Sequence, residues 1–181
     1  MNQADDFWKD PFDESDYFTG PPLTEDMIRA AEAKLGYKLP QSYVRLLTIK
    51  NGGSLKRDCF PTNMPTSWAE DHAALSGIRG IGSQWGIDSE TLGSREMIQE
   101  WGYPNVGIVV GECPSAGHDV IMLDYSQCGP QGQPRLILVE TETAEAPEVT
   151  ILAPDFETFL RGLVESSRFE KHRGEEGEKS P

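Results

Sequence analysis

Apolar positions recur along this chain with two different periods, and the change of period divides it. Ile28, Ala31 and Leu35 fall at i, i+3 and i+7, the spacing of one helix face. Thr24 precedes them as an N-cap, and Glu25 and Asp26 suit the positive end of a helix dipole. Leu23 and Ile28 stand where a hydrophobic staple needs them, and Gly36 supplies a left-handed stop. Pro40 opens a second helix at its first turn, with Tyr43, Leu46, Leu47 and Lys50 following, and Asn51-Gly-Gly53 closes it through a left-handed position. Near the other end, Phe156, Phe159, Leu160, Leu163 and Val164 form one apolar face of a last helix begun by Pro154 or Asp155. Between these helices the signal is of strands: around 106–111, 118–125, 135–140 and 149–152. Leu75 to Ile81 is a weaker strand signal, diluted by glycine. Met97 to Trp101 reads as a short helix, with Trp101 in the core.

Short strand-to-strand connections require antiparallel pairing. The expected fold is therefore α+β: an antiparallel meander sheet with helices packed on one face. The organisation expected is an acidic aromatic arm over residues 1–22, a domain over 23–169 and a charged, frayed tail over 170–181. The arm carries Phe7, Trp8, Phe12, Tyr17 and Phe18, too many rings for a solvated tail, so it is expected to pack them on the domain.

Charge narrows the partners. The net charge is -14, and residues 1–26 hold eight acids against Lys9 alone. Such a field repels a phosphate backbone or an anionic membrane and steers a basic protein inward. Solubility is the plainer use of the same charge. No run of about 18 apolar residues suggests a membrane span, and Met1 to Asp6 has neither the basic nor the apolar region of a secretory signal. Cys59, Cys113 and Cys128 lack paired spacing, which favours a reducing cytoplasm over a disulfide framework or a zinc ribbon.

The densest chemistry is Cys113-Pro-Ser-Ala-Gly-His-Asp119, between two strand signals. A hydrolase triad of Ser115, His118 and Asp119 needs the imidazole between hydroxyl and carboxylate. If His118 and Asp119 begin a strand, their side chains point to opposite faces, and no G-x-S-x-G elbow is present. Cys113 with His118 has no specific spacing either. The stretch reads better as a structural turn built from Pro114, Ser115, Gly117, His118 and Asp119, with the His118 ring bonded to backbone carbonyls. Metal-ligand spacing is missing around His72, His118 and His172. Gly77-Ile-Arg-Gly-Ile-Gly82 lacks both the dinucleotide fingerprint and a Walker lysine. No cofactor is expected. The candidate partner-binding residues are Asp10, Asp13 and Asp16 of the arm, with Trp68, Glu70, Asp71 and His72, because interfaces favour aromatic anchors.

Leu35-Gly-Tyr-Lys-Leu-Pro-Gln-Ser-Tyr43, then Leu46-Leu47 and Asn51-Gly-Gly53, resembles the opening of the SUKH superfamily, the Smi/Knr domain. Pro114 to Asp119 with Leu123-Asp-Tyr125 resembles that family's Gly-rich turn into a strand, and Ala153 to Leu160 its closing helix. The likeness runs from about residue 23 to 165 and leaves the arm outside. It implies a non-enzymatic α+β domain. Bacterial members are implied to be immunity proteins that bind polymorphic toxins, often nucleases, and fungal members to be regulators of cell-wall synthesis. The expected function is thus a cytoplasmic protein-binding module, a monomer or weak oligomer, that neutralises a basic toxin domain and binds neither nucleic acid nor membrane. A small hydrolase using Ser115 or Cys113 with His118 is the alternative from another class. A housekeeping interaction scaffold is a third.

Overall fold

In a computed structural model, which describes residues 7–9, 17–142 and 146–169, the chain folds as α+β. Two helices come first, α1 (Glu25–Leu35) and α2 (Gln41–Ile49). A small antiparallel pair follows, β1 (Cys59–Pro61) with β2 (His72–Ala74). Next are β3 (Gly77–Ile78), α3 (Ser94–Trp101), β4 (Gly107–Glu112), β5 (Asp119–Asp124), β6 (Arg135–Glu140), β7 (Glu148–Ala153) and α4 (Phe156–Gly162). Strands β3 to β7 form one antiparallel meander in chain order.

The period-2 pattern of the strands sorts their side chains to two faces. Ile108, Val110, Ile121, Leu123, Leu136 and Leu138 pack with Ala31, Leu35, Tyr43, Leu47, Phe156 and Phe159. Helices α1, α2 and α4 therefore share one face, as expected of all the helices, but α3 departs from that expectation. Val109, Val120, Met122, Ile137 and Val139 point the other way, and α3 covers them with Met97 and Ile98. Ser94 pins α3 there, since its Oγ accepts the Val109 N–H at 2.8 Å.

The caps follow local chemistry. Thr24 Oγ1 accepts the Met27 N–H, Gly36 ends α1 at φ 83°, and Asp155 caps α4 through the Thr158 N–H. Four expectations shift. Pro40 is the N-cap of α2 rather than its first helical residue; its carbonyl takes the first helical bond, from Val44 N–H. Helix α2 stops at an extended Lys50, so Asn51-Gly-Gly53 does not close it. Gly52 is left-handed, φ 92°, for a different reason: a Cβ there would strike the Phe18 carbonyl oxygen of the arm. The weak 75–81 strand signal shrinks to two residues, and Val164 lies past the end of α4, in an isolated bridge with Cys59.

The arm is sewn to the domain. Trp8 is wholly buried, bridges Leu55, and has Lys50 over its ring. Phe18 is buried too, whereas Tyr17 is exposed and lies edge-on to Trp85. Phe12 and the tail beyond Phe169 lie outside the described residues.

Candidate functional site

The 113–119 turn is held by its own groups. Ser115 Oγ accepts the Asp119 N–H at 2.8 Å, and the Ser115 carbonyl accepts the His118 N–H at 3.2 Å. Gly117 has φ 95°, and a Cβ there would lie 2.8 Å from the Trp101 ring. His118 and Asp119 part company as the strand reading requires. The His118 ring meets Trp101 edge-on, while Asp119 turns inward and accepts the Ser67 hydroxyl at 2.6 Å. The expected bonds from the imidazole to backbone carbonyls are replaced by that ring contact; it is the His118 carbonyl that is bonded, by Thr141. Burial pushes the Cys113 thiol well above its ordinary value, and Asp119, Glu112 and Glu140 push the same way. A thiolate, the nucleophilic form, is disfavoured there.

Asp119 also braces a loop. Asp119 and Glu140 are buried neighbours across β5 and β6. They receive the hydroxyl and backbone N–H of Ser67, respectively. Thr66 Oγ1 closes the loop on itself by donating to the Ala69 and His72 carbonyls. Held this way, the loop presents Trp68, 51% exposed, and Met64, 65% exposed, with Glu70 and Asp71 also at the surface. His72 differs from its neighbours. It is buried, stacked on Phe169 at 3.9 Å with Nδ1 2.7 Å from Asp71, so its ring has little surface to offer a partner. Asp10, Asp13 and Asp16 lie outside the described residues.

A second surface was not legible in the sequence. A cleft of about 480 Å³ opens beside the turn, walled by Tyr17, Trp85 and Trp101. Arg79 and Glu112 line it as a buried ion pair; Arg79 is 1% exposed and also donates to the Leu92 carbonyl and to Met97 Sδ. Trp101 is thus not the core residue expected. As the last residue of α3 it overhangs the sheet, 39% exposed, with its ring across Gly117. The one hint was Arg79 itself, a lone cation between isoleucines in a Gly-rich run.

The resembling motif residues build the scaffold under this cleft. Tyr43 donates its hydroxyl to the Arg79 carbonyl at 2.6 Å. Asn51 Nδ2 donates to the Pro21 and Ile81 carbonyls, and Asn51 Oδ1 accepts the Ile81 N–H. They position the 79–81 backbone and tie the arm to it. Among the described residues, no three His, Cys, Asp or Glu stand together as a metal site. Nor is any helix among them long and apolar enough to cross a membrane.

Comparison with curated proteins and with solved structures finds no match. Residues 22–162 match the model of the SMI1 / KNR4 family (SUKH-1), over most of the chain. That match spans α1 to α4, with the Tyr43 and Asn51 that tie α2 and the arm to the 79–81 backbone, and by it the chain belongs to the SMI1/KNR4 (SUKH-1) family.

Proposed function

We propose that this protein is a cytoplasmic, non-enzymatic immunity protein of bacterial type, which neutralises a basic toxin domain, of nuclease kind, by covering it. The observation that carries the reading is the 62–71 loop. It is fixed by buried carboxylates and its own hydroxyls, yet it leaves an indole and a thioether in solvent. A rigid exposed Trp loses little entropy on docking and supplies large contact area, the usual makings of a hot spot. The acids Glu70 and Asp71 beside it, and the net charge of -14, suit a basic partner. Family membership supports a protein-binding role.

The test is direct. A toxin domain found in the gene's neighbourhood is expressed, and its toxicity and nucleic-acid cleavage are measured with and without this protein; a neighbourhood without one counts against the reading. Protection at one-to-one stoichiometry, lost in Trp68→Ala, supports the reading. Undiminished cleavage in excess protein, or tight binding of nucleic acid by this protein at physiological salt, overturns it.

A further inference from the structure

The aromatic cleft is separate from the Trp68 loop, although both are built on the 113–119 turn. Three aromatic rings around one opening are costly to leave in water unless something fills the space. Tyr17 and Trp85 stand edge-on at 5.0 Å and form one wall, and Trp101 forms another. The charges decide what fits. Arg79 is neutralised by Glu112, and its second terminal nitrogen is taken by the Leu92 carbonyl. Glu100, exposed on α3 one residue before Trp101, also lines the cleft and has no such counter-ion on the wall. The lining therefore carries a net negative charge.

We infer that this cleft receives a single arginine or lysine side chain from the protein partner, its stem between the rings and its cation near Glu100. The inference rests on the protein-binding reading but places a second, distinct anchor on it. Aromatic faces attract a cation within about 6 Å of the ring centre, and a carboxylate at the rim fixes its direction. An apolar side chain would gain the rings and forgo the charge. An acidic one would meet Glu100 and find both terminal nitrogens of Arg79 already bonded, with its unpartnered Nε buried out of reach.

The protein has four tryptophans, Trp8, Trp68, Trp85 and Trp101, so each indole N–H can be followed in solution by nitrogen-correlated NMR. The probes are the N-acetyl amides of arginine, lysine, norleucine and glutamate, added to the full chain without any partner. The arginine and lysine probes should move the Trp85 and Trp101 signals saturably and leave Trp8 and Trp68 still. Glu100→Gln, a surface change clear of the Arg79 pair, should weaken that binding at least threefold with the spectrum otherwise preserved. Trp101→Phe should retain it. Equal shifts with norleucine, preference for glutamate, or shifts confined to Trp68 would each overturn the inference. Because no partner is present, failure here leaves the toxin assay untouched, and failure of that assay leaves this result standing.

Discussion

Substitutions in the 113–119 turn separate backbone geometry from side-chain chemistry. Gly117 sits at φ 95° with the Trp101 ring where a Cβ would go, so Gly117→Val meets both backbone strain and a steric clash. It should destabilise the protein by about 2 kcal/mol or more. Ser115→Ala loses one bond to the Asp119 N–H and should cost about 1 kcal/mol, with partner binding nearly unchanged. Chemical denaturation measures both; a reversed order would mean that the hydroxyl, not the glycine, holds the turn. Asp124 gives a pH test. Burial pushes its carboxyl up, but bonds from Ser126 and the Arg135 ion pair outweigh that and hold it below its ordinary value of 3.8. A carboxyl lowered in the fold stabilises it above the unfolded value, and that contribution fades as pH falls through the folded value. The stability gap between the parent and Asp124→Asn should therefore be steady near neutrality and narrow below about pH 4. A gap constant down to pH 2 would contradict the pairing. At this scale the sequence was a partial guide. It exposed the turn through Pro114 and Gly117, yet misplaced Trp101 and offered His72 to solvent. Whether an aromatic lies in a core or over a rim depends on where its helix ends relative to the sheet, which periodicity does not encode.

Elements were more legible than residues. Helix α1 carries a cap, a staple and a stop within fourteen residues, Leu23 to Gly36, and folds with its cap and stop as read. Strands β4 to β6 read as near-continuous apolar runs because both faces are covered, whereas β7 leaves Val149 and Ile151 exposed. What the pattern hid was which helix covers which face: α3 and α4 are both amphipathic, and only the meander's geometry sends α3 across. Helix α4 is short, so its stability comes from packing rather than from its own hydrogen bonds. Phe159 is wholly buried, stacked on Phe60 at 5.2 Å, and ties α4 to β1. Phe159→Ala should cost about 3–5 kcal/mol by denaturant titration, the range for truncating a buried Phe. A loss under about 1 kcal/mol would mean that the helix can settle without it.

At the scale of the whole molecule, the proposed function assigns encounter to charge and residence to the anchors. With a net charge of -14, association with a basic partner should slow as salt rises, since screening acts over about 8–10 Å at ordinary ionic strength. Dissociation should change less if Trp68 is the desolvated anchor the proposal makes it. Replacing Asp10, Asp13 and Asp16 together with Asn should lower the association rate and flatten its salt dependence, read by stopped-flow mixing. An unchanged rate would confine the steering to acids of the folded domain such as Glu70 and Asp71. None of this could be placed from sequence beyond the sign of the field, because surface acids follow no period and a partner's footprint has no local signature.

The burial of Trp8 has a consequence for what counts as one unit of this protein. The family likeness begins at residue 22, and Trp8 and Phe18 lie before it. Yet Trp8 fills the interior against Leu55, and Phe18 rests where Gly52 and Gly77 have given up their side chains to admit it. The stretch shared by descent is therefore shorter than the stretch that closes the interior. Within the common domain are seats shaped for two rings that the common domain does not supply. Trp8, Phe18 and the 52–77 region thus make one physical joint that straddles the edge of the family match.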